Sequence, residues 1–392
     1  MKNRLIKYAA AVLSSVVFLY GSDMLAVHSA DTVNPAGTSS PSAVKTAPIA
    51  FAKQTVKIST GTKTINLIKI NPKDPKIRFE VNLPGTLLNQ TDDFEKLAKA
   101  KKAKAAINAN FFSAYTEIKD PIGHVMVDGQ LIYGQSGITS VGITKSKDIL
   151  FGTPGIFTRM FADGKRTNDM HIGGLATYNV WAAYEVNTRS QTKDNSIMYT
   201  PNRGTSIDIT AAGYIAVVRN KVLEDFYKVA PPMKVDIPKD GYVTFFGENA
   251  AAKWKGDNGL TKGRSIEIEY YLFKSSGDLF DMNEMQWMIS GGPDLVLDGK
   301  KAPASTHPAF TGERFTTAST PRTAIGTTKD GLLLLVNVPS ATLGELKEIM
   351  LKIGCYDAIN LDGGASAGMY YDGKAIARPG RKLATMLYVY EK

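Results

Sequence analysis

Hydrophobic and polar positions alternate in short runs along most of this chain. Thr55-Val-Lys-Ile, Thr64-Ile-Asn-Leu-Ile-Lys-Ile, Ile77-Arg-Phe-Glu-Val, His124-Val-Met-Val and Ser265-Ile-Glu-Ile-Glu-Tyr-Tyr-Leu put apolar side chains at every second position. That is the period of a strand with one buried face. Helical spacing is convincing in only two stretches, residues 93–104 and 342–353. In the second, Thr342 and Glu345 are spaced as a capping box, Leu343, Leu346, Ile349, Met350 and Ile353 share one face, and Gly354 closes the element. The predicted class is α+β, mostly sheet with a few helices packed on it.

Each helix runs into a similar strand, Ala106-Ile-Asn-Ala-Asn110 after the first and Ala358-Ile-Asn-Leu-Asp362 after the second. Units of this kind put the last strand residue at an edge of the sheet, where polar groups project into a cleft. Asn110 and Asp362 are therefore expected to face one site. Chance similarity over five residues is the plain alternative.

Asp-Gly occurs seven times, beginning at Asp128, Asp163, Asp240, Asp298, Asp330, Asp362 and Asp372, so the dipeptide alone says little. Asp128, Asp298 and Asp372 have strand-like residues on both sides, as a two-residue hairpin requires. Asp362 differs: an apolar strand leads in, but Gly363-Gly364-Ala365-Ser366-Ala367-Gly368 follows. Small residues let backbone N–H groups converge on an anion and let a ligand approach the main chain, although a structural bend has the same composition. Pro321 holds the chain extended before Arg322, whose guanidinium can grip phosphate or carboxylate with two prongs, or simply form a surface ion pair. Gly292 sits in a second glycine-rich bend, Ser290-Gly-Gly-Pro-Asp294, where a plain turn is the default. His124 and His307 are two of only four histidines, and each alone is more often structural.

Composition narrows the setting. Lys2, Arg4 and Lys7 precede an apolar run from Tyr8 to Tyr20, with Ala26 and Ala30 as cleavage points, the pattern of an export signal over residues 1–30. That run is shorter than the roughly 20 residues of a membrane-spanning helix, so membrane contact is expected only through this segment if it stays uncleaved. Residues 31–50 are a Ser/Thr/Pro/Ala-rich linker, and one folded domain is expected over 51–392. Cys355 is the single cysteine, so no internal disulfide can form. The net charge of +10 favours anionic surroundings. The basic residues are dispersed and the leader points outward, which argues against nucleic acid and for an anionic wall or capsular polymer, with a merely solvated surface as the bland alternative.

Together these segments resemble the phosphodiester glycosidase family. The stretches that carry the resemblance are Asn108-Ala-Asn-Phe-Phe112, the hairpin from Gly123 to Ile132, Gly291-Gly-Pro-Asp-Leu-Val-Leu-Asp-Gly299, Pro321-Arg-Thr-Ala-Ile-Gly326, the capped helix and Asn360-Leu-Asp-Gly-Gly364. Two positions depart from the family pattern. Ala365 stands where a third glycine is usual, and Gly380 precedes Arg381 where an acidic residue is common. The resemblance implies hydrolysis at the anomeric carbon of a sugar 1-phosphodiester of the N-acetylglucosamine type, on a sugar phosphate or an extracellular glycopolymer. It implies Asp362 as nucleophile or base, Arg322 with the Gly363 and Gly364 amides as phosphate grip, and Asn110 and Ser366 orienting sugar hydroxyls. Gly292 lies in the substrate-binding set. Glu313 is the candidate second carboxylate, or else His124 supplies the proton. No cofactor is predicted, with a divalent cation left open; a P–O-cleaving metal site would need a dense His and Asp cluster, which the sequence lacks. A secreted or wall-associated bacterial hydrolase is expected, and the competing reading is a non-catalytic polysaccharide binder.

Overall fold

A computed structural model describes residues 47–85, 87–163, 180–251, 261–273, 279–280, 282–305 and 307–392. The expected leader and nearly all of the expected linker (residues 1–46) lie outside the described residues. The described residues from Pro48 onward form one compact unit, dominated by strands. The first strand, Ile49–Ile58, starts two residues ahead of the expected boundary at Phe51, because Ile49 is already part of the core.

The central feature is a seven-stranded antiparallel sheet in the order Ile49–Ile58, Gly61–Ile70, Leu333–Ala341, Thr320–Thr328, Cys355–Asn360, Asp294–Leu297, Lys300–Lys301. Its middle strands are buried on both faces, and alternation sends their side chains to two different cores. Leu333, Leu335, Ile325, Ile359 and Leu361 enter one; Leu334, Val336, Ala324 and Ala358 enter the other. The helix Leu343–Lys352 covers the second face with Leu346, Ile349 and Met350. The predicted cap is present: the Glu345 amide donates to the Thr342 hydroxyl at 3.2 Å and the Thr342 amide to the Glu345 carboxylate at 2.9 Å.

The first face packs against two five-stranded sheets. One is ordered Lys374–Ala377, Met369–Tyr371, Ala105–Asn108, Met386–Glu391, Ile77–Asn82, and the other contains Val125–Val127, Ser140–Thr144 and Met285–Ser290. Ile107, Leu387, Val125 and Ile289 meet Ile325 and Ile359 in this shared core. Helix Phe94–Ala100 lies on the far side of the first of these sheets through Phe94 and Ala98. It stops earlier than the pattern suggested, since Lys102 takes a φ of +53° and turns the chain toward the strand at Ala105.

Candidate active site

The strand Cys355–Asn360 ends where the strand Ala105–Asn108 also ends, although the two belong to different sheets. The Asp362 amide donates to the Ala109 carbonyl at 3.2 Å, and the Asp362 carbonyl accepts from Asn108 Nδ2 at 2.5 Å and from the Thr323 hydroxyl at 2.8 Å. A half-buried residue is thereby held by two neighbouring strands at once, Ala105–Asn108 at its end and Thr320–Thr328. The chain after it forms a single 3-10 turn, Gly364–Ser366, closed by Ser366 N–H to the Gly363 carbonyl at 3.0 Å. Gly364 takes a left-handed φ of +58°, which favours glycine. Among the described residues, the N–H groups of Gly363, Gly364 and Ala365 meet no protein acceptor.

Gly363 is required for a different reason. A Cβ there would come within 2.9 Å of the Pro321 carbonyl and 3.7 Å of Arg322 Cδ. Lacking a side chain, the Asp362 turn lies directly against the segment presenting Arg322. That guanidinium is buried rather than on the surface; Nε donates to the Ala341 carbonyl at 3.1 Å and Nη2 to the Ala318 carbonyl at 2.9 Å. Burial lowers its pKa, and a cation removed from water in this way favours an anionic neighbour.

The other expected residues fall into place unevenly. Asn110 is buried beside the turn, but its two amide protons go to the carbonyls of Ile122 and His124, at 2.9 and 3.0 Å. It fixes the 122–124 segment instead of offering donors to a sugar. His124 is fully buried; its Nδ1 is 3.3 Å from the Ser140 hydroxyl, and Nε2 has no partner among the described residues. Desolvation pushes its pKa down to about 3, which favours the neutral imidazole near pH 7. Ser366 is buried within the 3-10 turn. Glu313 is exposed at the start of the short helix Glu313–Thr316, and that segment runs on to Ala318, whose carbonyl holds Arg322. Gly292 clasps the strand before Asp362: its amide donates to the Asn360 carbonyl at 2.6 Å and its carbonyl accepts from Asn360 Nδ2 at 2.8 Å. Ala365 is exposed, and its carbonyl receives the Gly380 amide at 2.8 Å.

Three further residues hold this arrangement, each inside a stretch that carries the family resemblance but without a site role expected of it. Asn108, Thr323 and Asn360 are buried at 1% exposure or less, and each bonds the turn or its flanks across the sheets. Their signal was a polar side chain set inside an apolar strand, since buried polar groups are retained with partners. The partners themselves could not be read: Asn108 and Asp362 are 254 positions apart. Among the described residues, no three His, Cys, Asp or Glu side chains gather as a metal site would need.

Comparison with known proteins gives a family match and a fold. Residues 212–390 match the phosphodiester glycosidase family, a span that contains Arg322 and the whole Asp362 turn. A bovine (Bos taurus) protein, N-acetylglucosamine-1-phosphodiester alpha-N-acetylglucosaminidase, is 29% identical over 123 residues, 27% of this chain. The matched part spans only 23% of the bovine protein's length. Among solved structures, a hypothetical protein from Synechocystis superposes with a TM-score of 0.72 at 21% identity, over 88% of this chain and 62% of that one. A protein from Burkholderia pseudomallei K96243, named as exported, gives 0.64 at 19% identity over 84% and 74%. At these identities the two superpositions establish the fold.

Proposed function

We propose, from the match of residues 212–390 to the phosphodiester glycosidase family, that this protein is a glycosidase that hydrolyses phosphodiester-linked sugars. The observation that carries the reading is the contact of Gly363 with Pro321 and Arg322, which sets the turn bearing the Asp362 carboxylate against a buried guanidinium. A sugar 1-phosphodiester matches that pair, with an electrophilic carbon for the carboxylate and an anion for the cation.

In the proposed reaction the bond between the anomeric carbon and the phosphate oxygen breaks, and its electron pair leaves with the phosphate. Asp362 either attacks the carbon or takes the proton of the water that does; water finally supplies the new C–O bond and the sugar is freed. A phosphomonoester leaves as a stable anion, so fixed positive charge and N–H donors matter more than a strong general acid. Arg322 and the Gly363 and Gly364 amides fill that role. With His124 neutral and enclosed, Glu313 stands as the second carboxylate, on the solvent side. Ser366 and Asn110 shape the site from beneath, and Gly292 steadies the strand that enters it.

The substrate in this reading is an N-acetylglucosamine-type phosphodiester in an extracellular or wall glycopolymer. Residues 1–30 serve as export signal, the Ser/Thr/Pro/Ala-rich stretch from residue 31 up to the strand at Ile49 as linker, and the chain from Ile49 to residue 392 as the catalytic part. The basic leader with its apolar run and the excess of Lys and Arg support that setting, as does the likeness in fold to a protein named as exported. No helix among the described residues is long and apolar enough to cross a membrane.

Incubating the purified protein with a synthetic N-acetylglucosamine 1-phosphodiester tests the proposal. Free sugar and a phosphomonoester are the expected products. Release of sugar phosphate would mean P–O cleavage, and binding of the polymer without any release would mean a binding protein; either outcome sinks the reading.

A further inference from the structure

A cleft of about 230 Å³ opens at the start of the strand Asp294–Leu297, the neighbour of the strand that leads into Asp362. Its volume equals that of about seven or eight water molecules at roughly 30 Å³ each, on the scale of one small ring. Pro293 and Phe310 line it on one side, and Thr139, Thr153, Ser305 and His307 bring polar atoms. The cleft is fixed to the site: Pro293 follows Gly292, the residue bonded twice to Asn360, and Phe310 packs against Gly292 so closely that a Cβ there would lie 2.5 Å from the ring.

Asp294 is the one carboxylate in the lining, and no Lys or Arg joins it. It is poorly satisfied by the protein. Besides its own backbone N–H, the carboxylate accepts from Thr139 alone, through one oxygen at a long 3.4 Å; the other oxygen, buried, has no side-chain partner among the described residues. Thr139 is itself shared with Thr153 at 3.2 Å. An under-bonded carboxylate costs stability unless donors arrive from elsewhere. The wall is nevertheless rigid, because the buried Lys347 ammonium donates to the carbonyls of Ala302 and Pro303 at 2.8 and 2.6 Å. His307 Nδ1 accepts from the Ala309 amide, which leaves Nε2 to carry the ring's proton as a donor.

We infer that this cleft is a saccharide subsite that seats one neutral sugar ring, with Asp294 accepting from its hydroxyl groups and Pro293 and Phe310 covering its apolar C–H face. A ring offering donors on its edge and C–H groups on its face suits this lining, whereas a phosphate would meet the Asp294 carboxylate, whose neighbouring Lys347 ammonium is already bonded to the Ala302 and Pro303 carbonyls. The inference deepens the reading that a sugar polymer is the substrate and rests on it: the cleft would hold a ring adjoining the phosphodiester, so Asp294 would select the sugar and not perform the chemistry.

Calorimetric titration of the intact protein with N-acetylglucosamine, glucose, galactose and inorganic phosphate tests it. At least one neutral sugar should bind at millimolar concentration; Asp294→Asn should weaken that binding about tenfold and Thr139→Val by a smaller factor, with unfolding temperatures near wild type. Added phosphate should not compete. Equal affinity in wild type and both variants, competition by phosphate, or no binding of any of the three sugars overturns the subsite. The hydrolysis assay separates the two readings. Failure to cleave the phosphodiester, with Asp294-dependent sugar binding intact, would remove the catalytic proposal and leave the subsite standing. Cleavage without such binding would do the reverse.

Discussion

The dipeptide Asp-Gly builds two different objects in this molecule. At Asp372-Gly373 both residues have positive φ, +48° and +84°, and the turn joins the antiparallel strands Met369–Tyr371 and Lys374–Ala377. Asp298-Gly299 and Asp128-Gly129 are built alike. This is the geometry that matches the twist of a two-residue hairpin. Asp362-Gly363 shares none of it. Gly363 is extended at φ −117°, Asp362 is bonded to Asn108, Ala109 and Thr323, and the left-handed residue is Gly364, one place later. A hairpin turn is determined by its own strands, whereas the site turn is determined by strands from elsewhere in the chain. The difference teaches where substitutions should matter: the hairpin glycine serves only local conformation, and the site glycine serves a tertiary contact.

The largest effect is expected at Asp362. Asp362→Asn keeps every backbone bond of the turn, so the unfolding midpoint should stay near wild type while turnover falls on the order of 10³-fold; turnover at wild-type level would place the chemistry elsewhere. Next is acid sensitivity on the His124 side. With a pKa near 3 in the folded protein against an ordinary 6.5, His124 takes up its proton mainly in the unfolded state. Stability is therefore full above about pH 6.5 and falls as the pH drops toward 3, by about 1.4 kcal/mol per pH unit. Denaturant unfolding at pH 7 and pH 5 should show a loss of about 2 kcal/mol that His124→Gln largely removes; an equal loss in that variant would assign the acid sensitivity to other groups.

Gly363→Ala sharpens the comparison directly. The Pro321 carbonyl in its way is backbone and cannot swing aside, so a cost of about 1–3 kcal/mol is expected, with turnover down about 10- to 100-fold as Arg322 and Asp362 are pushed apart. At Gly373 a Cβ meets open space, and only the positive φ resists it. Gly373→Ala should cost about 1 kcal/mol in thermal unfolding and leave turnover unchanged. If the two substitutions behave alike, the distinction between local and tertiary turns fails.

Much of the fold was legible from pattern. The capped helix and the strands near residues 55–58, 64–70, 77–81 and 265–272 are local objects, set by period and capping chemistry. The strand Leu333–Ala341 was harder, because its unbroken apolar run feeds two cores and so shows no alternation of polarity. The meeting of two strand ends was also legible, from the likeness of Ala106–Asn110 to Ala358–Asp362. Which side chains that meeting would present was not: Asn110 turns to the 122–124 carbonyls, and Asn108, two positions earlier, holds the Asp362 turn. Sequence spacing carries no information on which of two polar side chains in one strand end finds a partner 254 positions away.

By itself, then, the sequence determined the sheet-rich class, the capped helix, the hairpins and the unusual composition after Asp362, because each follows from periods and φ preferences acting over a few residues. Only the tertiary structure decided that Arg322 is buried against the Asp362 turn, that His124 is enclosed and neutral, and that a cleft with an under-bonded Asp294 lies alongside. Those outcomes depend on desolvation and on contacts between strands far apart in the chain, and both come into being only when the sheets pack.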